Sequence, residues 1–208
     1  MKKFVLGSLL AMLVSSPVLA NVTDERDPLT IINQTTELIL EQLNARRDEF
    51  RANPDLLRAV VKQDLLPLLD LEYSARLILG KSGRGISPEQ LNAFSDAMSN
   101  VLVNRYADGL LEFKSDEQVE VLPMKGNNSD KLTRVRTRIK LPNGGYAPVD
   151  YAFRKTDGGW KAFDVTVEGI SYVLTFRNQI SPRVEADGID KVTADIVAGN
   201  VKLNEDQK

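Results

Sequence analysis

Few side chains in this sequence could carry covalent chemistry. It contains no His and no Cys, which removes Ser-His-Asp and Cys-His nucleophiles, the usual zinc ligand sets, iron–sulfur clusters and disulfides. Carboxylate, Ser-Lys and Tyr chemistry remain. Gly80-Lys81-Ser82 has the ending of a phosphate-binding loop. The earlier glycine that such a loop needs is Ala75, however, and a helical pattern rather than a strand precedes it, so a helix–helix loop is the plainer reading. Gly169-Ile170-Ser171 stands between a strand and a helix, as a nucleophile elbow does. It has Val173 where the elbow has glycine, and no His to serve as base; Ser171 reads better as a helix N-cap. Asp164 could act as a lone carboxylate in a pocket, or could form a structural ion pair, with Arg177 as the partner.

Non-covalent chemistry has more candidates. Arg134, Arg136, Arg138 and Lys140 alternate along one strand. They form either a docking face for an acidic partner or a solvated outer face whose charges discourage edge pairing, with Asp130 and Asp150 near enough in sequence to offset them. Alternating with them are Val135, Thr137 and Ile139, which share the opposite, apolar face.

The elements that position these residues follow from pattern. Asp27-Pro28 starts a helix that runs to about Phe50, and Asn53-Pro54 starts a second. Pro67 forces a bend, and a third helical segment spans 68–79 before Gly80. Ser87-Pro88-Glu89-Gln90 is a capping box opening a long helix through Tyr106. The hydrophobic period changes from about 3.6 to 2 near Lys114. Four strands follow: Val119 to Val121, Leu132 to Leu141, Tyr146 to Lys155 and Trp160 to Glu168. Pro142-Asn143-Gly144-Gly145 and Thr156-Asp157-Gly158-Gly159 turn between them, so the sheet is an antiparallel meander. A helix over 170–186 and a shorter one over 189–201 close the chain. The expectation is an α+β fold, a curved four-stranded antiparallel sheet covered by several helices, cone-like and able to hold one small ligand on its concave side.

Ahead of this, Lys2 and Lys3, an apolar run from Phe4 to Val14, and Val18-Leu19-Ala20 make a secretory signal peptide over residues 1–20. One domain over 21–208 follows. The chain of 208 residues has a net charge of −2, and losing Lys2 and Lys3 makes it more acidic. Bulk attraction to nucleic acid is therefore not expected.

Several segments resemble one family, the MlaC or toluene-tolerance periplasmic phospholipid-binding proteins. Trp160 through Ser171, continuing in Phe176-Arg177-Asn178-Gln179-Ile180, looks like the family's W-x-x-x-D-V-x-x-E-G-[VI]-S … [YF]-R-x-Q-[FI] signature. Pro67-Leu68-Leu69-Asp70 with Tyr73 and Leu77 to Gly80, and Tyr106 at the end of the long helix, match further. The loop after Gly80, Lys81-Ser82-Gly83-Arg84-Gly85, departs from the family in lacking an aromatic residue. The resemblance implies a fold like nuclear transport factor 2 with added helices and a deep apolar cavity. It also implies a soluble, non-enzymatic periplasmic shuttle without cofactor or metal. Such a shuttle passes phospholipid between an outer-membrane lipoprotein–porin complex and an inner-membrane ABC transporter with an MCE domain, maintaining outer-membrane lipid asymmetry. A monomer suits that task.

On this reading the cavity lining comes from the sheet residues Val135, Ile139, Val149, Tyr151, Phe153, Phe163 and Val165. The helices contribute Tyr73, Leu77, Phe94, Met98, Leu102 and Tyr106. The Tyr rings suit a mouth that is dry at one end and wet at the other. The same residues could equally fill an ordinary core. An enzyme working through Asp164, or a ligand-free periplasmic chaperone or adaptor, are the alternatives.

Overall fold

Helix boundaries fall where capping residues put them. The computed structural model describes residues 26–113, 119–126, 128–141, 143–201 and 203; the expected signal peptide and the change of period near Lys114 lie outside them. Helix α1 (Pro28–Ala52) begins at Asp27, whose carboxylate accepts from the Leu29 and Thr30 amides at 2.9 and 3.1 Å. It is broken at Arg46, which has a non-helical backbone. Helix α2 (Pro54–Val60) runs into a π-helical turn (Val61–Leu65) and a 3₁₀ turn (Leu66–Leu68) that contains Pro67. The expected single helix over 68–79 is therefore shorter. Helix α3 (Leu71–Leu79) starts only at Asp70, because that carboxylate accepts from the Tyr73 amide at 3.1 Å. Helix α4 (Pro88–Tyr106) carries both bonds of the expected Ser87–Gln90 capping box.

Five strands form one antiparallel sheet in sequence order: β1 (Val119–Val121), β2 (Thr133–Lys140), β3 (Tyr146–Thr156), β4 (Gly159–Val167) and β5 (Ile170–Ser171). The expected four strands are present. The fifth arises because Glu168 and Gly169 both take positive φ, 50° and 84°, and so fold β4 back into a tight hairpin. Helices α5 (Tyr172–Asp187) and α6 (Ile189–Val197) end the fold, α5 capped by Ser171 as the sequence suggests.

The register places Val135 opposite Tyr151, Thr137 opposite Val149 and Ile139 opposite Ala147, with Val149 and Tyr151 in turn opposite Val167 and Val165. These residues share one face of the sheet, because directly opposed strand residues point the same way. A β-bulge interrupts β4: Ala152 faces Asp164 but Phe153 faces Ala162, leaving Phe163 unpaired. Below the bulge Ala162 thus takes the inner position, which an unbroken alternation with Val165 gives to Phe163.

The apolar interior is divided. One cluster joins helices only, with Phe94 and Met98 of α4 packed against Val173, Phe176 and Ile180 of α5. A second packs α1 and α2 against the end of α4 through Leu43, Phe50, Leu57 and Val103. The third closes one end of the sheet with Ile31, Val135, Phe153 and Ala162.

Candidate functional site

The helices do not cover the sheet evenly. Helix α1 packs on β1 and β2, while α3 and α5 pack on β4, so β3 runs between the two supports. Toward one end of the inner face Val135, Phe153 and Ala162 are almost wholly buried against Ile31 of α1. Further along the same face Ile139, Tyr151, Val165 and Val167 are only half-buried. The face is thus plugged at one end and less completely covered toward the other, where Thr137 and Val149 are still buried between half-buried neighbours.

Tyr151 stands at the boundary of the plug, opposite Val135. Burial pushes its phenol above the ordinary tyrosine value, and a hydrogen bond with Thr137 offsets part of the rise. Yet Tyr151 is not among the buried residues and keeps accessible surface. It packs against the cluster of Ile31, Val135, Phe153 and Ala162. Its polar neighbours are satisfied. The buried Thr137 hydroxyl donates to the Val149 carbonyl at 2.9 Å, and that of Thr133 donates to the Ser129 carbonyl at 3.0 Å. A face whose polar groups are already bonded can meet hydrocarbon without leaving an orphaned donor.

At the free edge of the sheet a half-open cleft of about 330 Å³ separates α1 from β1, lined by Asn33, Thr36, Glu37, Leu40, Val119, Glu120 and Val121. Val119 and Val121 lie opposite Ile139 and Thr137, so the cleft opens beside the inner face. Its α1 residues were not legible in the sequence. Asn33 and Glu37 are on the polar side of the helix and Thr36 falls in its apolar repeat with Ile32, Ile39 and Leu43, and only the packing of α1 on β1 shows what they border.

The expected lining residues separate into groups. Ile139, Val149, Tyr151 and Val165 lie together on the inner face beyond the plug, and Val135 and Phe153 belong to the plug itself. Leu77, Phe94, Met98 and Leu102 belong to the helical cluster. Tyr73 and Phe163 meet edge-on at 5.2 Å, and Tyr106 meets Tyr172 edge-on at 5.4 Å.

The other candidates take structural roles. Asp164 accepts from the Ser171 hydroxyl at 2.6 Å and from the Val173 amide at 3.1 Å, so both of its oxygens hold the start of α5. Its expected partner Arg177 lies elsewhere, with its guanidinium over Gly80. The carboxylate is drawn to unsatisfied amides at a helix N-terminus instead. In the basic row, Arg138 pairs with Glu120 at 2.6 Å and lies over the Tyr146 ring, and Arg136 donates to the Pro123 carbonyl. Glu120 of the neighbouring strand thus does the neutralising expected of Asp130 and Asp150. Among the described residues no cluster of three or more acidic side chains could hold a metal ion.

Comparison with known proteins fits this architecture. The chain is 29% identical over 196 residues to toluene tolerance protein ttg2D of Pseudomonas putida, covering 93% of this chain and 89% of that one. It is 26% identical over 187 residues to the intermembrane phospholipid transport system binding protein MlaC of Haemophilus influenzae, covering 88% and 84%. A solved structure of the phospholipid-binding protein from Ralstonia solanacearum, in complex with a phospholipid, superposes with a TM-score of 0.71 at 21% identity. That match covers 82% of this chain and 99% of the other. The sequence model of the MlaC protein family matches residues 33–198, from the first turns of α1 to the end of α6, and the chain belongs to that family.

Proposed function

We propose that the protein is a soluble periplasmic carrier that holds a glycerophospholipid by its acyl chains against the inner face of the sheet. It carries the lipid between an outer-membrane lipoprotein–porin complex and an inner-membrane MCE-domain transporter, and so helps keep the outer membrane asymmetric. The segment over residues 1–20 exports it and is removed, and the mature chain works as a single domain and a monomer. No described helix is long and apolar enough to cross a membrane.

The observation that carries this reading is the half-buried apolar row Ile139, Tyr151 and Val165 on the inner face, whose polar neighbours Thr133 and Thr137 are already hydrogen-bonded. Two sixteen-carbon chains hold about 30 methylenes, and exposing them to water costs on the order of 20–25 kcal/mol. A carrier must therefore offer them dry surface. It needs little more, because the bilayer they leave is dry as well and exchange must stay reversible. The cleft beside β1 is at the low end of the ~300–1,000 Å³ usual for ligand pockets. It supplies an entrance to the inner face, while its polar rim leaves the headgroup in water. The relatives' names and the phospholipid in the Ralstonia complex point the same way.

The direct test is extraction of the purified protein with organic solvent, followed by mass spectrometry. Phospholipid at near one molecule per chain is the expected result. A protein that stays empty after incubation with phospholipid vesicles contradicts the reading.

A further inference from the structure

The turn after α3 reads Gly80-Lys81-Ser82-Gly83-Arg84-Gly85. Residues Gly80–Gly83 form one 3₁₀ turn, tied down by the Ser82 hydroxyl, which bonds to the Leu79 carbonyl at 2.5 Å and to the Ser181 hydroxyl at 3.0 Å. A recess of about 150 Å³ lies against this turn, lined by Arg76, Leu79, Gly80, Gly83, Arg84 and Ile86. Two guanidinium side chains border it and no carboxylate does. A third guanidinium is close by: a Cβ added at Gly80 would lie 2.6 Å from Nη2 of Arg177.

These cations are poorly neutralised. Arg76 pairs with Glu72 at 2.6 Å, but both side chains are more than half exposed. Among the described residues no ion pair or side-chain hydrogen bond holds Lys81, Arg84 or Arg177. Four cations are thus gathered at one corner of an acidic chain with one acid among them. Lys81 and Arg84 are exposed, so water screens the charges from one another, and an anion entering the recess meets no carboxylate on its lining. Arginine forks match the tetrahedral oxygens of phosphate. At about half the volume of the smallest usual ligand pockets, the recess admits a single anionic group, with the rest of its molecule outside. The missing side chains at Gly80 and Gly83 leave room for the Arg177 guanidinium and the Leu79 side chain to lie directly on the turn.

The geometry points to a phosphate-group site at this corner, formed by Arg76, Arg84 and the Gly80–Gly83 turn, with Lys81 and Arg177 adding charge. The phosphate is either the free ion or that of a phospholipid head presented at a membrane surface. The site is separate from the inner face of the sheet and does not depend on the acyl-chain reading.

Two arms distinguish the sources. In the first, inorganic phosphate is titrated at low salt while the amide resonances of Gly80, Gly83 and Gly85 are followed by NMR. In the second, the protein is floated with vesicles of one part phosphatidylglycerol to three parts phosphatidylcholine. Arg84→Gln, Arg76→Gln and Lys81→Gln are compared with the wild type and with Arg134→Gln on the outer sheet face, after thermal melts confirm folding. A saturable shift with free phosphate, weakened at least tenfold by Arg84→Gln or Arg76→Gln and unchanged by Arg134→Gln, establishes an ion site. Flotation that Arg84→Gln abolishes and Arg134→Gln spares, without a response to free phosphate, establishes a lipid-head site. Silence in both arms, or equal losses with Arg134→Gln, overturns the inference.

Discussion

Arg154 donates through Nε to Asp70 Oδ2 at 2.5 Å, and its guanidinium lies 4.3 Å from the centre of the Tyr73 ring. The other Asp70 oxygen caps α3, and the Asp70 amide donates to the Ala162 carbonyl at 2.7 Å. One residue thus starts a helix, fixes it to β3 and joins it to β4, where the bulge at Phe163 meets the Tyr73 ring. These contacts are what the segment Leu68-Leu69-Asp70 with Tyr73 builds in this chain.

Asp70→Ala should destabilise the fold by about 2–3 kcal/mol, losing a cap and a half-buried charge pair together. Arg154→Lys should cost about 1 kcal/mol, since it keeps the charge but not the planar stack. Urea denaturation measures both, and equal effects would separate the stack from stability.

Gly80 is needed both for its backbone and for its missing side chain. Its φ is +55°, and Arg177 occupies the space a Cβ would take. Gly80→Ala should therefore lower stability by more than the ~1 kcal/mol of a positive-φ alanine. Adding Arg177→Ala should recover the excess while leaving that backbone cost. An additive double mutant in thermal or urea melts would show that the two residues are uncoupled.

The start of α1 should respond to acid. The hydroxyl of Thr30, donating to Asp27 at 2.6 Å, holds the Asp27 carboxyl below the ordinary aspartate value; desolvation opposes it, and the Thr30 and Leu29 amides add to the lowering. A carboxyl whose pKa is lower folded than unfolded stabilises the fold above the unfolded value of about 4. That contribution is lost as pH falls through the folded value. The stability difference between wild type and Asp27→Asn, measured in urea from pH 7 to pH 2.5, should be positive at neutral pH and shrink below about pH 4. A difference that does not change with pH would show that the charge contributes nothing.

Loading should depend on the half-buried row rather than on the plug. Ile139→Arg should leave the protein folded and reduce bound phospholipid at least tenfold. Val135→Ala should cost about 2 kcal/mol through a cavity among Ile31, Phe153 and Ala162, yet still load. Mass spectrometry of extracted lipid beside a urea melt reads both, and normal loading of Ile139→Arg would remove that residue from the site.

Much of this was legible in the sequence because local signals carried it. The Ser87–Gln90 box, the Asp27-Pro28 start and the alternation of Val135, Thr137 and Ile139 each depend on neighbours a few residues apart. What was not legible depends on distant partners. The bulge that gives the inner position to Ala162 and leaves Phe163 to Tyr73 breaks a regular alternation without any Gly or Pro to announce it. Phe94 and Met98 carry the same helical spacing whether they face a sheet or other helices. Only the placement of α5 and α6 directs them into the helical cluster. Asp164 and Arg177 are charged oppositely and near in sequence, but helix amides and a bare glycine were the better partners.

The sheet's two margins, β1 and β5, are three and two residues long. Strands this short give a foreign strand little to pair with at the two margins themselves. Beyond those few residues the longer neighbours are guarded differently, by the bridge of Leu69 to Ala162 on β4 and by the exposed charge of Arg134 on β2.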